Sequence, residues 1–475
     1  GTVMRTKIVA TVGPATCERE KIAQLAEAGV SVFRLNFSHG DPDFFRGVVA
    51  NIRDIEKECG RPLSIMQDLP GPKIRIGILP EGRIELTRGD KLILGRERRE
   101  KEELPFIPFD HPSILAALVP GDTLVLADGG LRFRIEEKVE NERFIMSAQE
   151  SGAISSRKGL ALPGKSLALP AITEQDREKL ALGMELGVDA VAISFVQTVD
   201  DVHQIKALLH SYGRDDIPVV AKLERQNAAV DNWMKSWPHR HRHGGPRRSR
   251  RGVPHARTSR AAKHIIHTCN RAGKPVIVAT QMLLSMVNTP VPTRAEVTDV
   301  ANAVLDGADC VMLSDETAAG NYPIEAVRYM RKITDEAERY MFSTRKLEAP
   351  KDEKDSSRFL AYTACLLAQT EDACAIVAHS VSGGSARMLA ECRPIQTIYA
   401  LTSNSRVEHA LNFVWGVQPY CIPVSDSSIS HLRRVQNFIA TSNKFPMGKD
   451  VVITAGEYAP GEMRRRTNLV KIYHK

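Results

Sequence analysis

Short runs of Val, Ile, Ala and Leu recur along this chain of 475 residues, and stretches of helical period separate them. The runs are Lys7–Val12, Val30–Asn36, Leu63–Asp68, Ala190–Phe195, Val219–Leu223, Val276–Thr280 and Cys310–Ser314. A strand that is apolar at nearly every position has both faces covered. The intervening segments, such as Glu18–Ala28 stopping at Gly29, read as the helices that cover it. That alternation builds a parallel sheet, and eight such units close into a (β/α)8 barrel. Seven runs are visible, and the widest gap lies between the fifth and the sixth.

Two regions break the pattern. Over 70–165 the segments are short and alternating, as in Gly82–Leu86 and Asp122–Leu126, and are interrupted by Gly, Pro and Asp. This predicts a small inserted β-barrel domain leaving the barrel after its third strand, where active-site loops belong. Near Leu347–Lys351 the chain turns charged and proline-bearing; beyond it, strands at Ala375–Ala378, Thr397–Leu401 and Val451–Thr454 alternate with helices. The predicted organisation is barrel over 1–69 and 166–345, an insert over 70–165, and a doubly wound α/β domain over 346–475.

The formal net charge is +8, yet 239–264 alone carries nine Lys/Arg and five His with no acid. Without those nine charges the rest of the chain stands at −1, so the basicity belongs to one tract. The tract lacks aromatic interleaving, which argues against a nucleic-acid arm, and His239, His241 and His243 have no usual zinc spacing. Eight scattered cysteines without C-x-x-C fit a reducing cytoplasm. No apolar run reaches the roughly 18 residues of a membrane span, and the N-terminus does not read as a signal peptide.

Polar residues gather at the C-terminal ends of the barrel strands: Arg34, Asn36, Ser38 and His39 on the second, Asp68 on the third, Lys222 and Glu224 on the fifth, Thr280 on the next. One strand-end Arg or Asp is usually a loop ion pair. Several on one rim, cations beside carboxylates, suit a phosphate and a divalent cation, which is the equipment of phosphoryl transfer.

The segments Lys7–Thr16, Phe33–Gly40, Gly71–Arg75, Lys158–Pro163, Ala221–Arg225, Ala279–Met282 and Pro292–Val297 resemble, in order and over nearly the whole chain, the motifs of bacterial-type pyruvate kinases. The resemblance implies phosphoryl transfer from phosphoenolpyruvate to ADP, giving pyruvate and ATP in glycolysis. It implies that Arg34 and His39 bind substrate, Lys222 stabilises the phosphoryl group in flight, Glu224 holds Mg2+ or Mn2+, and Thr280 lies by the carbon that is protonated. Arg75 and Lys158 would reach the nucleotide, with the insert as a lid. Asn36, Ser38, Asp68 and the Leu69 carbonyl match the family's potassium site. Lys73 stands where potassium-dependent members carry Glu, so turnover is expected not to need K+. Ser380, Ser382, Gly383, Gly384 and Ser385 match the region of a phosphorylated effector, with an ordinary strand-to-helix turn as the alternative. A cytoplasmic homotetramer is implied, with no nucleic-acid or membrane partner.

The chain departs from the family over 226–264. There the Ala-Arg-Gly-Asp-Leu-Gly motif, which supplies a second metal carboxylate, is missing. Codons compatible with 233–238 read one nucleotide earlier, and with 243–254 read one later, permit a family-like helix and that motif. The expectation is a frame-shifted stretch. If the tract is literal, a catalytically compromised homologue, or a nucleic-acid binder through 239–264, are the alternatives. A smaller departure is Asp315, where the family usually has Gly.

Overall fold

The computed structural model describes the chain except residues 1–2, 127–130, 163–164, 166, 168, 195, 197, 224–251, 257–258, 280–281, 352–353, 425, 457 and 459–466; for 223, 252–256 and 259–262 it describes the backbone alone. Two compact units emerge: Gly1–Leu69 with Glu174–Lys475, and Pro70–Thr173.

In the first unit eight parallel strands close a ring. They are β1 (Lys7–Val12), β2 (Val30–Asn36), β3 (Ser64–Asp68), β4 (Ala190–Ile193), β5 (Val219–Leu223), β6 (Gly252–Ala256), β7 (Ile277–Val278) and β8 (Cys310–Leu313). Around the ring the order is β1-β8-β7-β6-β5-β4-β3-β2. All six residues of β1 are buried, as a strand covered on both faces requires. The covering helices are α1 (Arg19–Ala28), α2 (Pro42–Cys59), α3 (Glu174–Leu186), α4 (Val199–Ser211), α5 (Ser259–Ala272), α6 (Arg294–Asp306) and α7 (Pro323–Thr344). Their ends follow local chemistry. The Asp41 side chain accepts from the Phe44 N–H ahead of Pro42 at the start of α2, and Thr293 and Glu296 form a reciprocal capping box on α6. Gly29, at φ 122°, closes α1 where any side chain would be strained.

The eighth strand, which no apolar run marks, lies in the gap between the fifth and sixth runs. β6 comes from within the basic tract and pairs with β5 from Val219 opposite Gly252 to Leu223 opposite Ala256, and with β7 through His255 and Ile277. Its sequence, Gly-Val-Pro-His-Ala, has no apolar run to announce it. Pro254, opposite Ala221, has no N–H for the ladder, an unusual residue within a ring strand.

The second unit returns to the barrel at Thr173, later than the boundary at 165 that composition predicts. It holds a six-stranded sheet, in the order Leu160–Ala161, Thr123–Leu126, Leu131–Glu140, Arg143–Ala148, Lys91–Gly95, Phe106–Pro108, and a two-stranded sheet of Arg83–Leu86 with Gly152–Ser155. Leu92, Leu94, Phe133 and Phe144 are fully buried in it.

The C-terminal domain is a five-stranded sheet of β9 (Ala375–His379), β10 (Thr397–Thr402), β11 (Val417–Cys421), β12 (Asp450–Ala455) and β13 (Leu469–His474), in the order β11-β10-β9-β12-β13. Only β13 runs antiparallel. Helices α8 (Ser356–Thr370), α9 (Gly384–Glu391), α10 (Ser405–Leu411) and α11 (His431–Thr441) flank it.

This domain docks on the N-terminal end of the ring through the segment joining α10 to β11. Phe413 packs with Val9, Met66, Val220, Cys310 and Met312 of the ring interior. Ser64 Oγ donates to the His409 carbonyl at 2.6 Å, and Asn412 donates to the Pro62 carbonyl at 2.9 Å. Asp309 accepts from the Trp415 N–H at 3.0 Å and lies 3.7 Å from Arg393, whose guanidinium sits over the Trp415 ring. Lys7 is buried with its Nζ donating to the Val417 carbonyl at 2.5 Å. Burial pushes its ammonium down to about 7, with Cys310 opposing. His409 meets Glu56 of α2 at 2.7 Å. Burial disfavours the imidazolium, but the Glu56 bond and the charges of Asp189 and Glu56 prevail and raise it to about 9. Among the described residues no helix is long and apolar enough to cross a membrane.

Candidate active site

At the C-terminal end of the ring, Asp68 is the hub. It closes β3 with 2% of its surface exposed. Arg34, from β2, donates through Nε to Asp68 Oδ2 at 2.7 Å, and Lys222, from β5, pairs with Oδ1. In a parallel ring, residues at equal heights on different strands converge; Asn36 is in register with Asp68. Burial opposes ionisation of Asp68, but Lys222 and Arg34 outweigh it and hold the carboxyl below its ordinary value.

Three hydroxyls extend this triad. Arg34 Nη1 donates to Thr11 Oγ1 at 3.0 Å, and Thr11 in turn donates to the Leu313 carbonyl at 2.9 Å. Lys222 Nζ lies 3.3 Å from Ser194 Oγ, which donates to the Leu69 carbonyl at 3.1 Å. Thr317 Oγ1 donates to the Thr11 carbonyl at 2.8 Å. The two cations are therefore fixed from both sides, with 12% and 14% of their side-chain surface open to solvent. Two oriented donors, partly open and anchored on one carboxylate, form a receptor for a phosphate or carboxylate anion.

Asn36 and Ser38 sit at the same rim, with Asn36 Oδ1 accepting from the Ser38 N–H at 3.1 Å. His39 follows and is exposed. Asp68 is already neutralised by two cations, so an alkali ion at Asn36, Ser38, Asp68 and Leu69 would compete with Arg34 and Lys222 for it. Glu224 and Thr280 lie outside the described residues, as does most of the anomalous tract. Among the described residues no three His, Cys, Asp or Glu come together as a metal site.

In the second unit, Arg75 bridges Gly159, and the Ile76 N–H donates to the Lys158 carbonyl at 3.0 Å, so Arg75 and Lys158 share one ladder. Lys73, Arg75 and Lys158 are all exposed.

Sequence reasoning missed Thr11, Ser194 and Glu316. The first two are ordinary residues near strand ends whose neighbours appear only when the ring closes. Glu316, in the short helix Asp315–Ala318, is fully buried. Burial pushes its carboxyl up to about 7 against the Ser314 N–H that donates to Oε2 at 3.0 Å, and Oε1 has no hydrogen-bond partner. Its neighbour Asp315 is exposed.

The geometry can be set beside known proteins. The family model described as "Pyruvate kinase, barrel domain" matches residues 3–327, and "Pyruvate kinase, alpha/beta domain" matches 358–473. A pyruvate kinase of Agrobacterium vitis is 42% identical over 419 residues, covering 87% of this chain and 85% of that one. Pyruvate kinase 2 of Synechocystis is 38% identical over 98% of this chain and 79% of its own. The pyruvate kinase of Geobacillus stearothermophilus is 37% identical over 99% and 80%.

Proposed function

The chain belongs to the pyruvate kinase family, and we propose that the Arg34–Asp68–Lys222 cluster is where it moves a phosphoryl group from phosphoenolpyruvate to ADP. The carrying observation is the single buried carboxylate of Asp68 orienting two cations from different strands toward one barrel mouth.

Arg34 binds the phosphate of phosphoenolpyruvate. Lys222 meets the equatorial oxygens as the phosphoryl group leaves, where charge spreads and a fixed ammonium gains most. Asp68 positions both without touching substrate. Because donors are already aligned, little reorganisation is needed at the transition state. Thr280 contacts the far end of the substrate, and His39, Arg75 and Lys158 complete substrate and nucleotide binding. Pyruvate kinases use Mg2+ or Mn2+. Glu224, directly after β5, would hold it, and the cation would shield phosphate charge.

Lys73 makes K+ dispensable by bringing an ammonium where the ion would sit, since the chain carries Lys where potassium-dependent members carry Glu. The region Ser380, Ser382, Gly383, Gly384 and Ser385 takes a phosphorylated effector, and the chain works as a cytoplasmic homotetramer. A coupled lactate dehydrogenase assay on the full chain with phosphoenolpyruvate, ADP and MgCl2 tests the reading. Pyruvate formation dependent on both substrates is expected; a folded protein that forms none overturns it.

A further inference from the structure

Two cysteines that the proposed chemistry leaves unused meet in the C-terminal domain. Cys365, in the middle of α8, is fully buried in a core cluster that includes Leu389 of α9. Cys392 caps the C-terminal end of α9 and packs, half-buried, against the same cluster. One carbonyl brackets the pair: the Leu389 oxygen lies 3.9 Å from Cys365 Sγ and accepts the Cys392 N–H at 3.1 Å. Cys392 Sγ lies 3.6 Å from the neighbouring carbonyl oxygen, that of Met388, and a hydrogen bond joins the two thiols.

The surroundings make the two sulfurs unlike. The bond to Cys392, together with burial, pushes the Cys365 thiol well above its ordinary value, so it stays protonated. The same bond lowers the Cys392 thiol against burial and the charge of Glu391, and Arg393 and Arg358 assist. Thiolates are the nucleophiles of disulfide exchange. A half-open one beside a buried, protonated partner has the layout of an attacking and a resolving cysteine. Cys392 also stands at a joint. Glu391, just before it, pairs with Arg358 of α8 at 3.0 Å, and Arg358 donates to the Arg271 carbonyl of α5 at 3.2 Å. Arg393, just after it, donates at 2.7 Å to the Gly307 carbonyl, which follows α6. The two thiols therefore meet between α8 and α9 where both helices hold the barrel.

We propose that Cys365 and Cys392 form a site of reversible oxidation, closing to a disulfide that ties α8 to α9 where the C-terminal domain seats on the barrel. The oxidant is a low-molecular-weight disulfide. The Cys392 thiolate attacks one of its sulfurs and the S–S bond of the oxidant breaks. One small thiolate leaves, takes up the proton that Cys392 gave away, and a mixed disulfide remains on Cys392. The Cys365 thiol then gives up its proton and attacks Cys392 Sγ, and the second small thiolate leaves with that proton. Two protein thiols are oxidised, and one small disulfide is reduced to two thiols. In a reducing compartment the pair rests as thiols, and the bond forms when small disulfides accumulate. Once formed, it constrains the unfolded chain between residues 365 and 392 and so favours the folded state.

The test exposes the full chain to oxidised glutathione, then alkylates, digests and maps it by mass spectrometry, with thermal unfolding in parallel. The expected result is a linked pair of peptides holding Cys365 and Cys392, lost on adding dithiothreitol. Tm is expected to rise by about 2–5 °C on oxidation and to fall back on reduction. Cys365→Ala keeps the attacking thiol without its partner and is expected to retain the glutathione adduct on Cys392. Cys392→Ser is expected to leave the buried Cys365 unmodified. The Tm of each reduced variant confirms that it folds. An adduct that accumulates on Cys392 of the unaltered chain without a linked pair overturns the site. So does a Cys392 that stays free while the exposed Cys59 is modified. A linked pair that leaves Tm unchanged or lowers it overturns the tie between the helices.

Discussion

The two ends of the barrel bury charge in opposite ways. At the C-terminal mouth, one carboxylate is shared by two cations that remain partly open. At the N-terminal base, Lys7 is sealed with its ammonium donating to the Val417 carbonyl, and Arg393 meets Asp309 at 3.7 Å beneath Trp415. Desolvating an ion is expensive, and a pair repays it only with good geometry. The mouth keeps its cations ready for an incoming anion, whereas the base uses its polar groups to seat a domain whose main adhesive is Phe413. Buried charge in this molecule thus comes in two kinds: cations that solvent can still reach, and polar groups sealed where one domain seats on another.

The sharpest way to break this contrast is at the base. Phe413→Ala empties a side chain packed in the ring interior and is expected to cost about 3–5 kcal/mol of stability. Thermal unfolding checks this, and kcat at low temperature should change less than twofold. At the mouth the effects reverse. Lys222→Met is expected to lower kcat by about 10²–10³-fold with little change in Tm, since a preorganised charge is lost at the reacting group. A Tm drop as large as that of Phe413→Ala would erase the distinction.

The His409–Glu56 pair sharpens it next. His409 rises from 6.5 to about 9 on folding, so its stabilisation is complete below pH 6.5 and is lost as pH climbs through about 9. Glu56→Gln should remove a few kcal/mol at most, on the order of 2–3, and flatten that part of the stability-versus-pH curve. Urea melts at pH 6, 8 and 9.5 read it. The smallest expected effect is at the potassium position: at constant ionic strength, KCl in place of a large organic cation salt should change the rate less than twofold. A steep rise with KCl would mean that Lys73 does not substitute for the ion.

Much of this was legible in advance, for stated physical reasons. β1, β2 and β5 follow the apolar runs residue for residue, because strands covered on both faces must be apolar throughout. Arg34, Asp68 and Lys222 stood out as strand-end charges, and the ring joined them. β6 was invisible, since main-chain pairing between β5 and β7 recruits Gly-Val-Pro-His-Ala without any apolar pattern. β11 and β13 were missed because Pro419 breaks one run and Lys471 and His474 make the other read as surface. Phe413 gave no sign of belonging to the ring core, as its neighbours Leu411 and Val414 pack in the core of the C-terminal domain.

The insert departs just after β3 and the chain resumes at α3, which leads into β4, while β3 and β4 are themselves hydrogen-bonded neighbours. The ring therefore owes none of its ladder to the excursion between Leu69 and Glu174. Such a guest can be shortened, swapped or lost over evolutionary time while its host keeps its architecture, so substrate coverage and scaffold are free to diverge at different speeds.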